Sequence, residues 1–89
     1  MKHKKDLEKI VRGFSNHRRI EIMQLLDQKP NLSVFEISET LNVNFKTASE
    51  HIRRLALAEL VWKRNEGKAV RHVLSNRGKF ILKFLRTLE

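Results

Sequence analysis

Apolar residues near both ends of the chain recur at the spacing of amphipathic helices. The stripe near the start follows an i, i+3, i+4, i+7 pattern and comprises Leu7, Ile10, Val11 and Phe14. The stripe near the end is wider and comprises Phe80, Ile81, Phe84, Leu85 and Leu88. These patterns predict terminal helices over 5–14 and 76–88, each with one apolar face.

The middle of the chain predicts three more helices. Apolar residues crowd the segment 16–28 so densely that its helix is expected to be buried over much of its circumference. Pro30 ends this helix, and Ser33 and Glu36 have the spacing of a capping box that starts a third helix. Asn44 is a suitable N-cap for the fourth.

The third and fourth helices have the residue spacing of a helix-turn-helix. Ser38 is small enough for the two helices to cross closely. Asn42 stands where the chain must reverse with a positive φ, a conformation that Asn tolerates better than most residues. An ordinary helical hairpin is the alternative interpretation of this spacing.

β-Branched and aromatic residues on both sides of "NEGK" predict a β-hairpin over about 60–65 and 69–74, with Gly67 in the turn. One face of this hairpin carries Val70, His72 and Leu74. Another carries Leu60 and Trp62. The period of two leaves open which face packs inward, and we expect Trp62 to pack under the hairpin.

Together these elements predict a mainly α fold with a small β-hairpin, a winged helix-turn-helix in the order α-α-α-α-β-β-α. The whole chain, 1–89, is expected to form a single domain. Because one core of this size gives only marginal stability, the apolar stripes of the terminal helices either close over their own monomer or meet a second copy. We favour a homodimer in which both stripes form the interface.

The excess of positive charge in the chain indicates an anionic binding partner. The chain carries 19 Lys and Arg against 10 Asp and Glu, and seven of these cations lie within 45–72. Merely solvated charges are the alternative interpretation. No apolar run approaches the roughly 20 residues that span a bilayer, and the start "MKHKKDLEKI" is too charged for a signal peptide. We expect a cytoplasmic, nucleoid-associated prokaryotic protein without membrane contact.

Catalysis, metal binding and cofactors are not expected from the sequence. The chain has no Cys, no Tyr, no Gly-rich phosphate loop and no cluster of His with carboxylates. Its four His residues are not paired at the spacings of metal ligands; they are His3, His17, His51 and His72. We therefore expect a protein that is not an enzyme.

The order of elements resembles the winged helix-turn-helix repressors of the ArsR type, from about Leu7 to Leu88. The resemblance rests on the segments "HRRIEIMQLL", "SVFEISETLNVNFKTASEHIRRLALAELV" and "NEGKAVRHVL". They are similar to the family's central helix, its recognition helix and its basic wing. Glu59 stands where the family often has Gly, so the turn into the wing is expected to be built differently. The Cys pair that metal-sensing members carry before the recognition helix is missing, and the last helix has no His.

The resemblance implies a sequence-specific regulator of transcription that binds double-stranded DNA, with the fourth helix in the major groove and the wing on the backbone or minor groove. The expected DNA-binding residues are Asn44, Lys46, Thr47, Ser49, Glu50, Arg53, Arg54, Lys63, Arg64, Lys68 and Arg71. Glu50 is expected either to accept from a cytosine amino group or to hold Arg53 in position. His51 is expected to pack or to contact phosphate. The alternative is a winged helix that docks onto another protein without reading DNA.

Overall fold

Seven elements follow one another in the computed structural model, which describes residues 2–89. They are α1 (Lys4–Phe14), α2 (His17–Gln28), α3 (Val34–Leu41), α4 (Phe45–Leu57), β1 (Val61–Glu66), β2 (Ala69–Leu74) and α5 (Asn76–Arg86). This order confirms the predicted fold class. α5 ends two residues earlier than predicted, so Leu88 lies beyond the helix. Among these elements, no helix is long and apolar enough to cross a membrane.

Side-chain caps begin the helices where the sequence predicts them. Ser33 and Glu36 form the reciprocal capping box of α3, and the Asn44 side chain caps α4. Asn42 separates the two helices with a left-handed φ of 53°. These caps satisfy backbone amides that a helix start would otherwise leave without partners. The helix-turn-helix is therefore defined by local sequence.

The core surrounds α2, as its dense apolar sequence predicts. Met23 and Leu26 of α2 are almost fully buried, as are Ile37 of α3 and Ile52 of α4. Burial of each such side chain contributes about 1.5–3 kcal/mol. α1 lies against α4 at Gly13, where a Cβ atom would be 2.4 Å from that of Ala58. The core thus fixes the position of α4 from several sides.

The hairpin is closed by a two-residue turn at Gly67 and Lys68, and Gly67 has a φ of 62°. A third segment joins its outer side: the backbone of Leu32, just before α3, forms an isolated bridge with His72 of β2. Two backbone hydrogen bonds of 2.9 Å hold this bridge, from His72 to Leu32 and from Asn31 to His72. The wing is therefore tied to the start of the helix-turn-helix.

The inward face of the hairpin is the one that carries His72 and Leu74, which are 1% and 5% exposed. Trp62 is 51% exposed, and it pairs with Val73. The expectation that Trp62 packs under the wing is wrong, because the pairing register places Trp62 and His72 on opposite faces of the hairpin.

The turn between α4 and β1 keeps the backbone conformation that glycine favours, although the residue there is Glu59. Its φ is 57°. The Ser75 hydroxyl donates to the Glu59 carbonyl oxygen over 2.7 Å, and Arg77 donates to the carbonyl of Ala58 over 2.9 Å. Contacts from the start of α5 therefore hold Glu59 in a conformation that glycine adopts more easily; a difference from the family's turn stays a prediction.

Candidate nucleic-acid interface

The first turn of α4 combines an ordered cap with exposed polar side chains. Asn44 Oδ1 accepts from the backbone amides of Lys46 and Thr47 over 2.9 and 3.3 Å. Ala48 is buried, whereas the side chains of Lys46, Thr47 and Ser49 are exposed. This end of α4 therefore presents polar groups, and its helix dipole points a partial positive charge outward.

Glu50 is the centre of a charged cluster on the same helix. Arg53 donates to both of its carboxylate oxygens, over 3.0 and 2.7 Å, and Arg54 donates over 3.2 Å. The hydrogen bond from Arg53, with help from Arg54, lowers the pKa of Glu50 to about 2 despite partial desolvation. The carboxylate is therefore ionised at neutral pH and orients two guanidinium groups, as expected for Arg53.

His51 packs within the protein. Its Nδ1 accepts from Arg19 Nε over 3.2 Å, so the ring carries its proton on Nε2. Burial and the neighbouring Arg19 charge lower the pKa of His51. The structure shows the packing role expected for His51, between α2 and α4, and a contact with phosphate stays a prediction.

The four basic residues expected in the wing fall into two groups. Lys63 and Lys68 are exposed and form no ion pair within residues 2–89. Arg71 is paired with the carboxylates of Glu36 and Glu66, and Arg64 Nη1 donates to Asn31 Oδ1 over 3.1 Å. The two lysines are therefore free to contact a partner, whereas both arginines already brace the wing against the segment around α3.

The apolar residues of the terminal helices also divide. Phe14, Ile81 and Leu85 are partly buried against the protein's own core. Leu7, Val11, Phe80, Phe84 and Leu88 remain 36–71% exposed. The first set packs against the core of its own monomer, and the second set leaves an exposed apolar surface on α1, on α5 and just after α5.

Phe45 is a candidate that the sequence analysis missed. It is the first residue of α4 and is 55% exposed, beside the exposed Lys46. An aromatic side chain at the tip of a groove-reading helix can contact a thymine methyl group. Phe45 has the i, i+3, i+7 spacing to Ala48 and Ile52, so periodicity assigns it to the buried face of α4; its place in the first turn, directly after the Asn44 cap, is what leaves it exposed.

No group of three or more His, Asp or Glu side chains arranged to hold a metal ion occurs within residues 2–89.

Comparison with known proteins identifies one family and several similar folds. Residues 16–63 match the model of the bacterial regulatory proteins of the arsR family. None of the curated protein sequences matches significantly.

Several solved structures have the same fold. A homodimeric winged helix-turn-helix DNA-binding domain of a possible ArsR-family regulator from Mycobacterium bovis superposes with a TM-score of 0.84 at 22% identity, over 94% of this chain and 78% of that one. HlyU from Vibrio cholerae is 29% identical, with a TM-score of 0.76 over 93% of this chain and 90% of its own. A MarR family protein from Bacillus stearothermophilus shares the fold at 20% identity and a TM-score of 0.76, over 90% of this chain and 58% of that one.

Proposed function

Because the chain belongs to the arsR family of bacterial regulatory proteins, we propose that it is a homodimeric repressor that binds double-stranded DNA sequence-specifically. The observation that carries this proposal is the outward face of α4: its buried side is anchored by Ala48 and Ile52, and its polar side is exposed from the first turn onward. A single helix of this kind fits the major groove.

In this proposal, residues in the first two turns of α4 recognise the bases. Lys46 donates to guanine or to phosphate, and the hydroxyls of Thr47 and Ser49 reach base edges. Glu50 holds Arg53 and Arg54 at fixed positions, which reduces the entropy that these long side chains lose on binding. An ionised carboxylate at this place also repels phosphate, so it favours base reading over unspecific binding. Phe45 adds an apolar contact.

The wing supplies contacts that strengthen binding without selecting a sequence. Lys63 and Lys68 approach phosphates or the minor groove. Arg64 and Arg71 contribute indirectly, because their bonds to Asn31 and Glu36 hold the wing beside α3.

The exposed apolar residues of α1 and α5 form the two-fold interface in this proposal. The M. bovis domain of the same fold is homodimeric. Exposed aromatic and aliphatic side chains such as Phe80, Phe84 and Val11 are unfavourable in water, and a second copy would cover them. Two α4 helices would then face one side of the duplex. In the cell, such a protein acts in the cytoplasm at the nucleoid.

The decisive experiment is selection of bound duplexes from a random DNA library. We expect a near-palindromic site with half-sites about one helical turn apart. If six to ten phosphates are neutralised per dimer, affinity falls roughly 10³ to 10⁵ fold between 50 and 200 mM salt. Failure to enrich any sequence would contradict specific DNA reading and favour the docking-module alternative. Repression itself is then measured with a reporter gene downstream of the selected site.

A further inference from the structure

Four cationic side chains line a concavity between α1, α2 and α4, beside the C-terminal half of α4. They are Lys9, Arg12, Arg19 and Arg54. Gly13, Leu57 and Ala58 complete the lining. The concavity has a volume of about 200 Å³ and is partly open to solvent. No carboxylate lines it, so its surface is strongly positive.

Arg19 is the fixed member of this cluster. Its Nε donates to His51 Nδ1 over 3.2 Å, and its Nη1 donates to the carbonyl oxygen of Arg12 over 2.7 Å. These bonds hold the guanidinium at the junction of the three helices, half-buried. Within residues 2–89, Arg19 forms no ion pair. A partly buried guanidinium with donors to spare and no carboxylate partner is unusual for a merely structural arginine.

The neighbouring cations Arg12 and Arg54 have carboxylate partners, Glu8 and Glu50, that do not line the concavity. Arg12 approaches Glu8 only to 3.8 Å, in a pair that is mostly exposed. Arg54 shares Glu50 with Arg53, which holds both carboxylate oxygens. Burial lowers the pKa of Arg19, and the charge of Arg54 lowers it further against the opposing effect of Glu50, so Arg19 and Arg54 repel one another. An anion bound among them would relieve this repulsion.

We propose that this concavity is an oxyanion site that takes a phosphate group, with Arg19 as the preorganised donor and Lys9, Arg12 and Arg54 as the surrounding charges. Planar guanidinium groups match the oxygens of phosphate, and a donor that is already held in place loses little entropy on binding. The phosphate comes either from a free phosphate compound or from the backbone of bound DNA. The second source rests on the proposed function; the first is independent of it.

A titration with inorganic pyrophosphate tests the free source. In wild-type protein, we expect saturable changes in the NMR signals of the Arg19 side chain and of the backbone near Gly13 and Ala58. The double variant K9Q/R12Q changes only exposed positions, and it should weaken pyrophosphate binding by about tenfold or more, because half of the charges are lost. The matched control K4Q/K5Q removes the same amount of charge from the exposed start of α1. It should change the affinity for pyrophosphate by less than about twofold. Arg19→Gln should abolish binding, and its NMR spectrum reports whether it folds.

A titration with the selected duplex at several salt concentrations tests the DNA source. If the site takes a backbone phosphate, K9Q/R12Q lowers the slope of log affinity against log salt by about one to two relative to K4Q/K5Q. An effect in the first titration alone supports a free phosphate compound, and an effect in the second alone supports a DNA phosphate.

The proposal is overturned if K9Q/R12Q and K4Q/K5Q behave alike in both titrations, or if pyrophosphate binds diffusely and the salt slope does not change. Wild-type protein that binds no duplex at all would instead contradict the proposed function, and the pyrophosphate titration would still decide on the site.

Discussion

Glu59 holds a left-handed turn that its side chain disfavours, with a φ of 57°. A residue with a Cβ atom is strained in this region by roughly 1–2 kcal/mol, and glycine is not. The Glu59→Gly variant is therefore expected to increase the free energy of unfolding by about 0.5–1 kcal/mol, because the lost ion pair with Arg77 is exposed and weak. Urea denaturation followed by circular dichroism measures the change.

The matched control for this variant is Asn42→Gly, at another left-handed position. Asn tolerates that conformation well, so the gain in stability should be smaller than for Glu59→Gly. A Glu59→Gly protein that unfolds at lower urea concentration than the wild type would show that the Arg77 contact outweighs the strain.

His72 makes stability depend on pH. Burial lowers the pKa of His72, and its Nδ1 lies 2.8 Å from the carbonyl oxygen of Leu32, to which it donates. The folded state therefore favours the neutral ring, and the unfolded chain binds more protons once the pH falls below the ordinary His pKa of about 6.5. Stability is expected to be full above that pH and to decrease as the pH falls through the folded-state pKa.

Denaturation curves at pH 7.5 and 5.5 measure this dependence, and the His72→Asn variant is the control. Its amide can still donate to Leu32 but does not titrate, so the loss of stability at low pH should be smaller. His51, whose pKa is also lowered, supplies the remainder. An unchanged dependence in His72→Asn would contradict the assignment.

The role of a single residue could be predicted from the sequence where its partners lie within a few positions of it. The capping roles of Ser33 and Asn44 and the positive φ of Asn42 were predicted correctly, because each involves atoms within a few residues. The pairing of Arg71 with Glu36 was not, since these residues are 35 positions apart. The exposure of Trp62 was not either, since it depends on which face of the hairpin packs against the core. Strands with apolar residues on both faces do not reveal which face is buried.

At the level of elements, α4 owes both its start and its candidate contacts to Asn44. The Asn44→Ala variant removes the acceptor for the amides of Lys46 and Thr47, so it should lower the free energy of unfolding by about 1 kcal/mol. It should also weaken DNA binding, because the first turn of α4 frays. Thermal denaturation and a fluorescence binding assay with the selected duplex measure the two effects.

Two further substitutions separate the cap from the interface. Asn44→Ser keeps the cap and should retain both stability and binding. Asn44→Asp also keeps the cap, and its charge suits the helix N-terminus, yet it would place a negative charge against phosphate. It is expected to be as stable as the wild type and to bind DNA more weakly. Equal binding by Asn44→Asp would place the start of α4 away from the duplex.

Element boundaries were predicted to within about two residues wherever a cap or a breaker marks them. The first strand of the hairpin begins and ends one residue later than predicted, and α5 ends at Arg86 instead of at residue 88. No cap signal follows the apolar stripe of α5, so its end could not be located from periodicity. The bridge at Leu32 was missed altogether, because one residue carries no strand pattern.

For the whole molecule, the distribution of apolar surface predicts association. Phe84 is 50% exposed on α5, within the proposed interface. The Phe84→Glu variant should raise the dissociation constant of the dimer roughly a hundredfold or more, since burying an unpaired carboxylate costs several kcal/mol. Analytical ultracentrifugation measures this, and DNA affinity should fall with it.

The matched control is Phe35→Glu, which changes an exposed aromatic residue on α3, outside the terminal helices; Phe35 is 61% exposed. It should leave the association unchanged. A wild-type protein that stays monomeric at micromolar concentration, or a Phe35→Glu protein that dissociates as readily as Phe84→Glu, would contradict the proposed interface.

The bridge between Leu32 and His72 has a consequence for the DNA as well as for the protein. Because it joins the wing to the segment that begins α3, the spacing between α4 and the wing tip is set before any duplex arrives. If this fixed distance does not match the distance between the contact points on straight DNA, the duplex must bend. We expect flexible TA or CA/TG steps to be enriched between the two contact points, even at base pairs that no side chain touches.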